Sequence, residues 1–93
     1  MLTLPQTETI RRLTQQFNPI FVGVFGSYAR GEQTSKSDLD LLIDFEQPLN
    51  LLELIGLEQE LSEVLGVKVD LVTQRSVNAR LKPYIEADLI RIL

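Results

Sequence analysis

The sequence predicts an α/β (α+β) fold, a small mixed β-sheet covered by helices. Three observations predict it. Short apolar runs bounded by turn residues, IFVGVF, DLDLLIDF and VKVDLVT, read as strands. The segments around them carry apolar residues at helical spacing. Helical and strand segments alternate, in the order α-β-α-β-α-β-α, as in folds that cover a sheet with helices.

Residues 5–17 read as an amphipathic helix. Pro5 suits a first helical position, and Ile10, Leu13 and Phe17 recur on one face. Asn18-Pro19 stops it. Ile20 to Phe25 is the first strand, ended by Gly26-Ser27. A helix of one or two turns follows, then the polar loop GEQTSKS. Asp38 to Phe45 is the second strand, with Leu39, Leu41, Ile43 and Phe45 on one face and Asp38, Asp40, Leu42 and Asp44 on the other. That alternation assigns core to one side and chemistry to the other. Asn50 caps the next helix with Glu53 in a variant capping box, and Gly66 falls just past its end. Leu49, Leu51, Leu52, Leu54 and Ile55 cannot all face one small sheet, so some lie under neighbouring elements or meet a partner. Val67 to Thr73 is a third strand, with Asp70 on its polar face. A helical segment is expected around Ser76–Leu81. Pro83 then opens a last helix, with Tyr84, Ile85, Ala87, Leu89 and Ile92 as core contacts.

The 93 residues are expected to form one domain, 1–93, with a single core. An apolar fraction of 44% suits a globular chain. No apolar run approaches the ~20 residues that span a bilayer. The first residues lack the basic start and apolar stretch of a secretory signal, so a cytoplasmic location is expected. The net charge of −4 and the scattered Lys and Arg disfavour a long polynucleotide, which needs a basic stripe. There is neither cysteine nor histidine, so any metal site uses oxygen ligands and favours Mg²⁺ or Mn²⁺.

The candidate chemistry lies between Val24 and Phe45. Gly26 and Ser27 follow a buried strand and open a short helix, where backbone N–H groups and a hydroxyl can meet a phosphate. After ten intervening residues, Ser27 is followed by Asp38 and Asp40, two apart on a strand and facing the same way, so both can meet one cation. Each has a plainer reading: a strand-ending turn for Gly26-Ser27, a turn cap for Asp38. Asp40 is harder to place otherwise, because a carboxylate within an apolar strand is costly unless paired or metal-bound. Arg30 can touch a phosphate or brace the loop; its plainer reading is a solvated side chain or a structural salt bridge. Tyr28 and Tyr84 read as packing residues. GSYARG lacks the Gly-Lys-Ser/Thr ending of a Walker A loop, no G-x-G-x-x-G occurs, and without histidine a Ser-His hydrolase is excluded.

The run GSYARGEQTSKSDLDLLIDF resembles the signature of the DNA polymerase beta-like nucleotidyltransferases: Gly-Ser, ten residues, Asp-x-Asp. It looks most like the minimal nucleotidyltransferases (MNT), often antitoxin partners of small helical HEPN-domain proteins. The signature covers about twenty residues, and the element order matches over nearly the whole chain. The resemblance implies a palm-like core and an Mg²⁺-dependent enzyme, with two ions held by Asp38, Asp40 and Asp70. Asp70 would bind the metal that activates the incoming hydroxyl, take its proton, or both. Gly26, Ser27 and Arg30 would bind the phosphates of ATP. It further implies that AMP passes to a hydroxyl, a tyrosine of a HEPN ribonuclease toxin, silencing it. A non-catalytic antitoxin acting by complex formation, and a metal-dependent phosphohydrolase, are the alternatives.

Overall fold

The computed structural model describes residues 2–93. Thr3 opens the first helix, α1 (Leu4–Gln15), through a reciprocal cap: its hydroxyl accepts the Gln6 N–H while the Gln6 side chain accepts the Thr3 N–H at 2.8 Å. Strand β1 is Pro19–Phe25, helix α2 Ser27–Arg30, strand β2 Leu39–Phe45 and helix α3 Leu51–Leu65. Strand β3 is Val69–Thr73, followed by a 3₁₀ turn at Gln74–Ser76, helix α4 (Lys82–Asp88) and strand β4 (Ile90–Arg91). The Asn50–Glu53 capping box forms as the sequence predicts, and Gly66 ends α3 in the left-handed conformation at φ 71°.

The sheet order is β3-β2-β1-β4. Strands β1 and β2 are antiparallel, as are β1 and β4, whereas β2 and β3 are parallel, with α3 as the crossover that such a pair requires. The sheet is therefore mixed, as expected. It has four strands rather than the expected three. A two-residue strand carries no readable alternation, and β4 exists because Ile90 and Arg91 pair with Val24 and Gly23 of β1, an alignment that Val22 extends by bonding Ile92 and Leu93.

Alternation divides the sheet as predicted. Leu39, Leu41, Ile43 and Phe45 of β2 and Val22 and Val24 of β1 pack with Ile10, Leu57 and Leu61 of the two long helices in one core. Phe17, beyond the end of α1 rather than within it, meets Phe45 edge to face at 6.2 Å between ring centroids. The opposite sheet face carries Phe25, Asp40 and Asp70 in one row and Gly23, Leu42 and Val72 in the next.

That second face is roofed by the C-terminal segment, and Gly23 makes the roof possible. A methyl group there would lie 2.7 Å from Leu89 Cδ1 and 2.9 Å from Phe21 Cε1. Leu89 thus occupies space that any larger residue would fill. Several expectations for this segment need correction. No α-helix covers Ser76–Leu81; the 3₁₀ turn ends at Ser76, and α4 starts at Lys82 with Pro83 in its first turn. Ile85 and Leu89 are half-buried and Ile92 is buried, but Ala87 and Tyr84 are exposed. Strand β3 begins at Val69 rather than Val67, since Gly66 and Val67 complete the turn out of α3.

Candidate functional site

The sheet register sets the site. Asp40 lies opposite Asp70 across the parallel β2–β3 pair and opposite Phe25, the last residue of β1, on its other side. Residues 30 positions apart in the chain thereby place two carboxylates side by side. Asp38 sits one residue before β2 rather than within it, and Lys68 Nζ approaches its Oδ2 at 3.8 Å.

Helix α3 fixes Asp70 from outside the sheet. β3 is an edge strand, so the amides of Val69 and Leu71 point away from β2 and need other partners. Ser62 Oγ accepts from Val69 N at 3.0 Å, and Glu58 Oε2 accepts from Leu71 N at 2.8 Å. The backbone on both sides of Asp70 is thus bonded to α3, a pair of contacts that sequence reading missed.

Gly26 is required by both backbone and space. It adopts φ 74° and ψ −151°, a region open only to glycine, and a methyl group there would run into Asp40 Oδ2. The sequence expectation has Gly26 leave room for a phosphate; a side chain there would also meet the Asp40 carboxylate. Ser27 follows as the first residue of α2, partly exposed.

Gly26, Arg30, Asp40 and Asp70 line one cleft of about 420 Å³, within the roughly 300–1,000 Å³ range of small-molecule sites. Its remaining walls are Phe25, Val72, Ser76, Val77, Asn78, Leu81, Tyr84, Ile85 and Asp88. Asp38 and Ser27 flank the cleft without lining it. A cleft of the same volume near Arg11, Asn18 and Glu46 contains none of the signature residues.

Electrostatics in the cleft are unbalanced toward negative charge. Burial, then the neighbouring charges of Asp70 and Asp38, push the Asp40 carboxyl above its ordinary value, and Arg30 offsets this only in part. Arg30 is occupied: its Nη1 bonds Asp88 Oδ2 at 2.6 Å and its Nε bonds Glu32 Oε1 at 3.2 Å. The salt-bridge reading of Arg30 is therefore observed, joining α2 to α4 between two residues of the cleft lining.

A hard cation fits this donor set. The available ligands are all carboxylate oxygens, and the mutual repulsion at Asp40 is what a divalent ion would relieve. Among the described residues no three carboxylates form a preformed cage. Mg²⁺ needs none, because it is commonly held by one or two carboxylates together with waters and substrate phosphates.

The walls contributed by Val77, Asn78, Leu81, Tyr84, Ile85 and Asp88 were not assigned to the site from sequence. Tyr84 and Ile85 read from sequence as core contacts of the last helix, and Leu81 as the end of a separate helical segment.

A family profile described as nucleotidyltransferase domain matches residues 7–92. A Methanocaldococcus jannaschii chain, named as a presumed protein adenylyltransferase, is 46% identical over 98 residues, covering 99% of this chain and all of the relative. The protein adenylyltransferase MntA of Thermococcus cleftensis is 44% identical over 84 residues, 85% of each chain. Among solved structures, a toxin-antitoxin complex with AMP-PNP contains a chain that superposes with a TM-score of 0.85 at 26% identity, over 94% of this chain and 72% of that one.

Proposed function

This chain belongs to the nucleotidyltransferase domain family, and on that premise we propose that it is an Mg²⁺-dependent protein adenylyltransferase of the antitoxin kind. It transfers AMP from ATP to a hydroxyl of a cognate HEPN-domain toxin, a tyrosine by the resemblance described above, and so neutralises it. The observation that carries the reading is the Asp40–Asp70 pair set across β2 and β3, beside a glycine where any side chain would be strained and meet Asp40, in one cleft. The adenylyltransferase relatives and the toxin-antitoxin complex support nucleotide, reaction and partner. A cytoplasmic location accords with such a partner; among the described residues no helix is long and apolar enough to cross a membrane.

Asp38, Asp40 and Asp70 would hold one or two Mg²⁺ ions, which when bound neutralise phosphate charge and make the acceptor hydroxyl more acidic. The chain's own residues do the rest. Gly26 holds the start of α2 close to the carboxylates, and Ser27 offers its hydroxyl to the terminal phosphates. Arg30 presents its guanidinium at the cleft lining, ready to exchange Asp88 for a phosphate. Asp70, with its backbone tied to α3, orients the acceptor hydroxyl and takes its proton as oxygen attacks the α-phosphorus and pyrophosphate departs.

One observation favours contact-only neutralisation as a second reading. Leu51 and Leu52, at the start of α3, are 71% and 81% exposed, an apolar surface of the kind that meets partners. Intact-protein mass spectrometry separates the two. The chain is incubated with its cognate HEPN protein, Mg²⁺ and each NTP, beside an Asp38→Asn/Asp40→Asn variant. An AMP-sized gain on the partner, absent with the variant, is expected. A stable complex with no gain from any NTP would transfer the reading to contact-only neutralisation.

A further inference from the structure

The cleft has two unlike ends. At one lie Gly26, Asp40 and Asp70; at the other, Tyr84 and Ile85 of α4 and Leu81, the residue just before it, share the lining with Val77. We propose that this apolar end is a nucleobase platform, with the Tyr84 ring stacking on the base and Leu81 and Val77 forming its floor. The proposal rests on the nucleotidyltransferase reading and adds to it the place and the residues of base recognition.

Exposure is the first argument. Of the two tyrosines, Tyr28 is packed in the core, whereas Tyr84 is 74% exposed on the cleft wall and Leu81 is 55% exposed beside it. Two large apolar side chains left uncovered within a concave lining imply an occupant rather than a packing role. Continuity is the second. The occupant must be flat and apolar at one end and must reach carboxylates that accept a cation-bound anion at the other. A nucleoside triphosphate has that form: its base meets Tyr84 while its phosphates reach Gly26 and the aspartates. The third argument is the mounting of α4. The seating of Leu89 over Gly23 ties the end of this short helix to the sheet, so the platform stands at a fixed offset from the carboxylates. Stacking on an aromatic ring accepts any base, which makes Tyr84 a source of affinity rather than of choice between ATP and GTP.

The test compares AMP-PNP with inorganic tripolyphosphate, which keeps the charge and lacks the base. Both are titrated with Mg²⁺ by calorimetry into the wild type, Tyr84→Ala and Tyr84→Phe. Since Tyr84 is exposed, both variants should fold, which a circular-dichroism melt checks. Tyr84→Ala is expected to weaken AMP-PNP between about 5-fold and 100-fold and to leave tripolyphosphate unchanged. Tyr84→Phe is expected to bind AMP-PNP like the wild type, and the Tyr84 ring protons should move upfield in NMR spectra of the wild type with AMP-PNP. Equal AMP-PNP affinity in Tyr84→Ala and wild type overturns the platform, and loss of partner binding in that case would give the surface to the HEPN protein. Wild-type binding of tripolyphosphate as tightly as AMP-PNP overturns it too, leaving the phosphate site standing. Binding of neither probe by the wild type removes the nucleotide reading itself, and the platform with it.

Discussion

Replacing Gly26 with alanine tests the site geometry most directly, because two separable costs fall on one methyl group. The backbone cost comes first. At φ 74° and ψ −151° an alanine is held in a region that strains any residue with a Cβ, at about 1–3 kcal/mol. The second cost is local crowding, since the methyl meets Asp40 Oδ2 and lies 3.3 Å from Asp40 Cγ. The carboxylate must turn aside, and overpacking of this kind costs about 1–3 kcal/mol. Together these remove roughly 2–6 kcal/mol from a total typically near 5–15 kcal/mol. Urea unfolding measures the sum, and a cycle with Asp40→Ala divides it. In that background the methyl keeps an ordinary 3.6 Å contact with Asp40 Cβ, so the crowding vanishes and the backbone strain remains. A coupling of about 1–3 kcal/mol between the two positions is expected. Transfer should fall about 100-fold in the single variant, the usual result of moving a reacting group by on the order of 1 Å. A Gly26→Ala protein within about 0.5 kcal/mol of wild type, and still active, would refute the placement of Asp40 against Gly26.

Two further predictions follow from the same geometry. Asp40→Asn should abolish transfer and yet stabilise the metal-free protein by up to about 1 kcal/mol, seen as a higher melting temperature. Because the folded-state pKa of Asp40 is raised, its charge costs folding free energy at neutral pH and nothing below its unfolded pKa. The gain should therefore shrink as pH falls through the carboxylate range, and a gain that grew instead would contradict the raised value. Glu58→Ala removes the acceptor of the Leu71 amide and should cost about 1–2 kcal/mol. Faster hydrogen exchange at Leu71 and slowed transfer are expected together; unchanged exchange would show that α3 does not hold β3 in place.

Alternation along β2 was enough to separate a core face from a chemical face, because strand side chains point to opposite sides every second residue. Asn50 with Glu53, and Gly66 after Leu65, mark the ends of α3 through contacts that span only a few residues. Gly26 and Asp40 come together for the same reason: a strand, a short helix, a loop and a strand bring them into one cleft within one continuous stretch.

Tertiary structure decided what depends on distant pairings. The match of Asp70 to Asp40 follows from the β2–β3 register, which α3 fixes through Glu58 and Ser62. Local periodicity constrains which way Asp70 faces, not which residue it stands beside. The same limit explains β4, whose two residues are a strand only because Gly23 and Val24 supply partners, and Arg30, whose ion pair with Asp88 spans 58 positions. Tyr84 shows it most clearly. Its place with Ile85 in the last helix reads as an apolar helical face, and a face buried in a core and a face lining a cleft have the same period. Seating Leu89 over Gly23 turns that face toward the carboxylates instead.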